Sequence, residues 1–457
     1  MFNDTICALA TAAVESGIGI IRISGPEAVQ IASKFIRSKS GKQVDISKSH
    51  QVKYGFVFSD NDPLDEVLVI TMLGPKSYTG EDTVEIDCHG GVLMMKKIID
   101  VALKNGCRLA EPGEFTKRAF LNGRIDLSEA EAVGDLITSE NEFALKASIN
   151  QLRGSVSDNI KSYRAQILED LAYIEAGLDD PEHIDISGFT VTLSEHITSI
   201  KNDLSYMIRS ADDGKMLKEG IKTVILGKPN AGKSSLLNSL VGTDRAIVTD
   251  VAGTTRDTLE EHINLKGISL TIIDTAGIRD TQDTVEKIGV ERALEAANNA
   301  DLIIYVVDSS IRLDESDYKI IEKIKDRKCI VLLNKTDLKQ ILDQQELEDL
   351  TGKKVIPFSA KNSIGIDKLE SEIHELFFSN SISFNDQIII TNLRHKNCLI
   401  NAEDSLNEVL NSINLGLPED FFTIDLMHAY EELGYILGEE VSEDLINEIF
   451  SKFCMGK

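Results

Sequence analysis

The chain has 457 residues, with 48 Lys and Arg against 75 Asp and Glu, a formal charge of −27, and 42% hydrophobic residues. This length fits roughly two to four domains with substantial cores. The charge excludes nucleic-acid binding through the overall field, so RNA contact needs a local patch or a partner, and no DNA partner is expected.

Residues 1 to about 120 mix short β-rich runs with helical pieces and read as an α+β module. Residues 18–23 and 67–72 read as buried strands, and 84–88 alternate like a half-buried one. Asp4 lies where a signal peptide would carry its basic region, so none is expected. Lys34, Arg37, Lys39, Lys42, Lys48 and Lys53 make a locally basic stretch, either a solvated loop or an RNA patch. From about residue 121 the period becomes helical. Ser128-Glu129-Ala130-Glu131 fits a capping box. Ile149, Leu152, Val156, Ile160, Tyr163, Ile167, Leu171 and Ile174 recur at spacings of three and four, the core face of one long helix. The segment 177–188, with Pro181, interrupts it, and further helix follows to about residue 213.

A different pattern occupies 215–380. Residues 227–234 read Gly-Lys-Pro-Asn-Ala-Gly-Lys-Ser and fit the phosphate loop G-x-x-x-x-G-K-[ST], with Gly227, Gly232, Lys233 and Ser234 at the fixed positions. Backbone N–H groups of such a loop at a helix N-terminus make an anion site. Lys233 suits the β- and γ-phosphates, and the Ser234 hydroxyl suits Mg²⁺. The loop alone serves ATP and GTP alike. Residues 269–273 are β-rich and end in Asp274-Thr275-Ala276-Gly277, a carboxylate for the metal followed by a glycine N–H for a γ-phosphate. A buried strand at 302–307 stops at Asp308, and another at 329–333 leads into Asn334-Lys335-Thr336-Asp337. Asp337 can accept from guanine N1–H and the exocyclic amine, which adenine does not offer, and unpaired acceptors are costly. Residues 355–358 precede Ser359-Ala360-Lys361, a backbone contact for the guanine oxygen. Any one of these fits a chance strand-end turn; all four in order define a GTPase domain.

After Asp-Thr-Ala-Gly, many GTPases carry a water-orienting Gln. Here the position is Ile278, so catalysis needs another group and a positive charge in place of an arginine finger. The segment Thr249-Asp250-Val251-Ala252-Gly253-Thr254-Thr255 supplies nucleotide contacts, with Thr255 as the Mg²⁺ ligand of the first switch. Asn230, followed in the loop by Ala231, Gly232, Lys233, Ser234 and Ser235, can hold a monovalent cation against the phosphates. Glu286 is either a solvated helix residue or the water-orienting base.

After residue 381 the chain returns to helix, and 381–457 carry four basic residues against fourteen acidic ones. The GTPase domain thus reads as inserted between two helical segments that pack as one unit. No apolar run reaches membrane-spanning length, so no membrane partner is expected. Cys7, Cys88, Cys107, Cys329, Cys398 and Cys454 have no Cys-x-x-Cys spacing and read as reduced thiols of a cytoplasmic protein without a zinc site.

Further blocks are Gly-Ile-Ile-Arg-Ile-Ser-Gly at 19–25, Thr-Gly-Glu-Asp at 79–82, His-Gly-Gly at 89–91, Pro-Gly-Glu-Phe-Thr-Lys-Arg-Ala-Phe-Leu-Asn at 112–122, and the terminal Phe453-Cys454-Met455-Gly456-Lys457. With these and the motifs at 227–235, 253–257 and 274–277, the chain resembles the MnmE (TrmE) family of tRNA-modification GTPases over essentially its whole length. The resemblance implies a multidomain α+β and α/β fold. Its parts would be an N-terminal α+β tetrahydrofolate-binding and dimerisation domain (1–120), a discontinuous all-α helical domain (121–214 and 381–457), and an inserted Ras-like α/β P-loop GTPase domain (215–380). It also implies a homodimer that forms a heterotetramer with the FAD-dependent MnmG (GidA). Together they would install an aminomethyl or carboxymethylaminomethyl group on carbon-5 of the tRNA wobble uridine. Methylene-tetrahydrofolate (or formyl-tetrahydrofolate) would supply the carbon.

The family's folate positions fall on Arg22, Glu85, Arg124 and Lys457. Cations suit the folate carboxylates, and a glutamate suits the pterin amide and amine. Read alone, Arg22 and Glu85 are ordinary strand residues. Cys454 matches the family's C-terminal cysteine; read alone it is a small buried hydrophobe. The resemblance also places K⁺ at Asn230, Thr249, Val251 and Thr254, places Mg²⁺ at Ser234 and Thr255, and selects Glu286 to orient the attacking water. K⁺ would replace the arginine finger when two GTPase domains meet. One segment departs from the family pattern: Ala12-Ala13-Val14-Glu15-Ser16 stands where a Pro-Pro-Gly-Arg-like run is usual.

Two other functions fit the GTPase motifs. A ribosome-assembly GTPase of the Era/EngA type usually appends a basic RNA-binding domain, which the acidic 381–457 does not resemble. A regulatory switch relies on outside catalytic help, whereas 249–257 and Glu286 supply groups in cis.

Overall fold

The computed structural model describes residues 3–139, 141–183, 188–241, 261–265, 268–273, 297–378 and 388–457. The chain divides into two compact units, one of Met1–Thr138, Ser148–Ile200 and Asn401–Lys457, the other of Ser139–Ala147 and Lys201–Ile400.

The first unit contains a sheet of β1 (Ile6–Leu9), β2 (Ser16–Ser24), β3 (Ile36–Arg37), β4 (Gln51–Ser59), β5 (Asp62–Met72), β6 (Thr83–Gly90) and β7 (Arg108–Leu109), in the order β3-β4-β5-β6-β2-β1-β7. Neighbours are antiparallel except β1 and β7. Strand alternation sorts the side chains. Ile21, Ile23, Val67, Val69, Val84 and Ile86 form a core with helices Ala28–Phe35 and Val92–Lys104. The residues between them, including Arg22 and Glu85, take the other face, where the register sets these two directly opposite one another. Of the atypical 12–16 segment, residues 12–15 lie in the exposed connection of the β1–β2 hairpin and Ser16 opens β2; Ala10 N–H donates to Ile20 O at 2.7 Å across the hairpin. The basic stretch is not one loop. Lys34 lies on a helix and donates to Asn105 O, Arg37 lies on β3 and donates to Asp60 O, and Lys53 lies on β4.

Three helical expectations are corrected. The box at Ser128 is built two residues earlier: Asp126 Oδ1 accepts from Glu129 N–H at 3.0 Å, and Glu129 Oε2 accepts from Asp126 N–H at 2.9 Å. Ser128 lies buried inside helix Leu127–Thr138. A carboxylate two residues ahead competes better for the orphan amides than the serine hydroxyl. The apolar stripe from Ile149 to Ile174 spans two helices, Glu142–Leu152 and Ser155–Asp179, separated at Gly154 with φ 90°. The helix expected to end near 213 runs from Phe189 to Glu219. Gly214 sits inside it because a Cβ there would strike the Ile390 carbonyl; the glycine marks a close approach of two segments, not a terminus.

Within the first unit, helix Ser155–Asp179 packs against helix Asp420–Leu437, two segments remote in sequence. The Arg164 guanidinium lies 4.0 Å over the Tyr430 ring and pairs with Glu439 at 2.6 Å. The C-terminal residues fold back on the turn before helix Glu114–Leu121, Phe115 N–H donating to Lys457 O at 3.1 Å.

The second unit holds β8 (Ile221–Leu226), β9 (Glu261–Leu265), β10 (Ile268–Ile272), β11 (Leu302–Asp308), β12 (Cys329–Asn334) and β13 (Val355–Pro357), ordered β13-β12-β11-β8-β10-β9 and parallel except β9 with β10. Its strands carry near-continuous apolar runs because both faces are covered. Leu236, Leu240, Leu369 and Ile373 cover one face; Ile320, Ile324 and Leu347 cover the other. This is a doubly wound α/β sheet. No helix among the described residues is long and apolar enough to cross a membrane.

Arg118, fully buried, binds Glu114 at 2.9 Å, Asp4 at 2.8 Å and Glu81 at 3.2 Å. Burial raises the Glu114 pKa, but Arg108, the Glu111 N–H and Arg118 outweigh it and hold the carboxyl below its ordinary value. Arg118→Met takes the cation from Glu81 and leaves Asp4 and Glu114 to Arg108 alone, and costs about 3–5 kcal/mol in urea unfolding near neutral pH. A lowered carboxyl pKa contributes stability above its unfolded value and loses it as pH falls through the folded one, so the difference between variant and wild type shrinks in acid.

Candidate functional site

The motifs of the second unit lie at the carboxyl ends of its parallel strands, where open α/β sheets bind ligands. The phosphate loop follows β8 and leads into helix Lys233–Val241. Asn230 takes φ 61° and Gly232 φ 106°. A Cβ at Gly232 would collide with the Asn334 side-chain amide, so only glycine fits. Lys233 Nζ donates to Gly227 O at 2.8 Å and Lys228 O at 2.9 Å, folding its stem across the loop. Lys228, which sequence reasoning passed over, anchors the loop by pairing with Asp317 at 2.6 Å and Asp314 at 2.9 Å. Asp314 and Asp317 also form the reciprocal cap of helix Glu315–Ile324. Asp317 accepts from Tyr305 Oη at 2.9 Å; burial, with this carboxylate, drives the phenol's pKa up.

On the base side, Asn334 ends β12. Its Nδ2 donates to Ala231 O at 2.8 Å, and its Oδ1 accepts from Ala360 N–H at 3.1 Å. Lys335, at φ 63°, pairs with Asp308 at 2.6 Å, and Thr336 Oγ1 donates to Phe358 O at 2.9 Å. Asp337 is exposed and accepts from Ser359 Oγ at 2.7 Å; that bond, against slight desolvation, holds its carboxyl below the ordinary range. Ser359, Ala360 and Lys361 form the adjoining turn, with Ser359 N–H bonded to Ile364 O at 3.0 Å. Asn230, Ala231, Gly232, Lys233, Ser234, Ser235, Asn334, Lys335, Asp337, Ser359, Ala360 and Lys361 are therefore brought to one sheet edge. Thr249, Asp250, Val251, Ala252, Gly253, Thr254, Thr255, Asp274, Thr275, Ala276, Gly277, Ile278 and Glu286 lie outside the described residues.

The first unit holds a second cluster. Arg22 Nε donates to Glu85 at 2.7 Å, and its Nη1 donates to Gly456 O at 3.2 Å. Three cations surround one aromatic ring: the centroid of Tyr78 is 5.4 Å from Arg22, 5.1 Å from Arg124 and 6.0 Å from Lys457. Phe115 adds a second ring 5.5 Å from Arg22. Burial, then Arg22, lower the Lys457 pKa, partly offset by Glu85 and Cys454. Such a group gains from an added anion. The four folate candidates thus share one locus, and Tyr78, which no motif flagged, is its centre. The residues fit a ligand joining an aromatic ring to carboxylates. Among the six free cysteines, Cys454 is exposed and not the buried hydrophobe of the alternative reading.

A parallel sheet with a phosphate loop after its first strand and a guanine-reading Asn-Lys-Thr-Asp at another strand end defines a P-loop GTPase, which binds GTP with Mg²⁺. The profile described as "MnmE helical domain" matches residues 127–454, and that described as "GTP-binding protein TrmE N-terminus" matches 5–124. Proteins named tRNA modification GTPase MnmE are similar at full length. The one from Lachnoclostridium phytofermentans is 55% identical over 458 residues, covering 100% of both chains. Those from Clostridioides difficile and Acetivibrio thermocellus are 48% and 49% identical, each covering 100% of this chain and 99% of the relative. The chain belongs to the MnmE family.

Asp337→Asn keeps an oxygen for Ser359 but turns an amide toward the base. GTP affinity in a fluorescent-nucleotide titration should fall at least about a hundredfold, with xanthosine triphosphate gaining, because the donor–acceptor pattern is reversed.

Proposed function

We propose that this protein is a tRNA modification GTPase that, with the FAD-dependent MnmG (GidA), adds an aminomethyl or carboxymethylaminomethyl group to carbon-5 of the wobble uridine. The observation that carries the reading is the Arg22–Glu85–Tyr78–Arg124–Lys457 cluster, in a chain that also holds a GTPase sheet and is 55% identical end to end to a protein of that name. A ribosome-assembly factor has no evident use for such a locus.

In this reading Arg22, Arg124 and Lys457 hold the carboxylates of methylene- or formyl-tetrahydrofolate, Glu85 reads the pterin edge and Tyr78 packs against its rings. The folate, when bound, supplies the one-carbon unit. In the GTPase unit Lys233 and the loop amides neutralise the phosphates, and Asp337 selects guanine. Ser234 and Thr255 hold Mg²⁺, and Asn230, Thr249, Val251 and Thr254 hold K⁺, which supplies the charge of an arginine finger. Glu286 orients the attacking water, since Ile278 cannot. The protein acts as a cytoplasmic homodimer that assembles with MnmG into a heterotetramer. Val52, Tyr54 and Leu68, exposed on the sheet face opposite the helices, support cover by a second copy. The domain division 1–120, 121–214, 215–380 and 381–457 is retained as the functional one.

Mass spectrometry of wobble nucleosides tests the function. Cells lacking the protein, or carrying Glu286→Ala, should lose the modification, and purified wild type should turn over GTP much more slowly in Na⁺ than in K⁺. Intact modification in the deletion strain would sink the reading in favour of ribosome assembly. Separately, Tyr78→Ala should weaken 5-formyl-tetrahydrofolate binding about tenfold by calorimetry, leaving GTP affinity unchanged.

A further inference from the structure

The tip of a helical hairpin in the first unit is the strongest unassigned surface. Helices Leu393–Asn414 and Asp420–Leu437 are joined by a short turn, closed by Leu417 N–H to Ser412 O at 3.1 Å. Asn401 Nδ2 bonds Glu432 at 3.2 Å toward the far end. Phe422, Leu426, Ala429 and Leu433 already give the second helix a buried face. A separate apolar stripe remains outside. Leu415 is 75% exposed, Phe421 51% and Ile424 61%, with Leu417 and Met427 beside them. Residues 421, 424 and 427, three apart, follow one side of the helix. Large side chains gathered on a surface in this way mark an interaction site.

Charge selects the occupant. Residues 397–451 contain no Lys or Arg, and Glu408, Glu419, Asp420 and Asp425 border the tip. RNA and anionic lipid are repelled by such a surface. A second copy of the same hairpin meets like charge with like charge. Burial, then Glu408, raise the Asp425 pKa, and His428 offsets this only in part, so an incoming cation finds an electrostatic deficit to fill.

We propose that this hairpin tip docks a protein whose matching surface is an apolar pocket rimmed by Lys and Arg, and that the FAD-dependent partner of the function proposed above presents it; the inference rests on that reading. Phe421 and Ile424 enter the pocket, and Asp420 and Asp425 pair with its rim. Large apolar anchors of this kind dominate protein interfaces, while the charges around them set association rate and salt dependence.

The test is calorimetric titration of the full-length protein with the purified FAD-dependent partner from the same genome. The wild type should bind, more weakly as salt rises, and Phe421→Asp/Ile424→Asp should weaken binding about thirtyfold or more with basal GTP hydrolysis and thermal unfolding unchanged. Leu415→Asp, at an exposed turn position, repeats the test with least risk to folding and should weaken binding severalfold. If the wild type binds and both variants bind equally well, the surface is wrong while the partner reading stands. If the wild type does not bind, the partner reading fails and the docking surface with it. If the variants lose tRNA but keep the protein partner, the surface is an RNA site and the proposal is overturned.

Discussion

The Asn334 carboxamide joins the two halves of the nucleotide site. It donates to the carbonyl of Ala231 in the phosphate loop and accepts from the N–H of Ala360 beside the base-reading turn. The group is almost fully buried, so each of these bonds would leave an unsatisfied polar atom if broken, at about 1–3 kcal/mol apiece. Gly232 exists in that form because the same amide occupies the space a Cβ would need. The separation between phosphate recognition and guanine recognition is therefore set by one side chain at the end of β12. Lys228 fixes the opposite side of the loop to the cap of a neighbouring helix. The loop is held from both flanks before any ligand arrives, which reduces the ordering that binding requires.

The first unit solves a different problem: holding three cations close together. Arg22 is offset by Glu85 and steadied by the Gly456 carbonyl, and all three cations lie near the Tyr78 ring. Ring faces carry negative potential, so Tyr78 offsets part of the repulsion among the three cations. Arg118 sits deeper, among Asp4, Glu81 and Glu114, and fastens the segment around Glu81 to the helix that carries Phe115. A buried cation with several carboxylates specifies geometry more than it adds net stability. Here the geometry specified is that of the segments supporting Tyr78 and Phe115.

Much of the GTPase sheet was legible because its strands are continuous apolar runs that end in loops of fixed spelling, as at 227–234 and 334–337. β1 and β4 were not. β1 is only Ile6–Leu9, and β4 mixes Lys53, Tyr54 and Gly55 within a stretch whose positive charge suggested a solvated loop. Local competition misled the reading of caps: Ser128 looks like an N-cap until Asp126 is seen to hold the same amides. Gly154 and Gly214 show why a glycine alone does not decide whether a helix ends. One interrupts an expected helix, while the other lies within a helix because another backbone passes close to it. Tyr78 had no pattern to betray it. Its importance arises from residues 22, 124 and 457, which only the folded chain brings together.

The charge of the chain divides its tasks. A formal −27 opposes RNA at long range, yet phosphate contacts depend on cations within roughly a Debye length, about 8 Å at physiological salt. The acidic run 397–451 cannot serve as such a surface, and in isolation it repels the substrate class of its family. A basic protein seated on that run would neutralise it and extend a positive field toward the RNA. With the partner proposed above, acidity in this part of the chain would act as partner choice: alone, the run disfavours non-specific nucleic acid, and the assembly would supply the attraction.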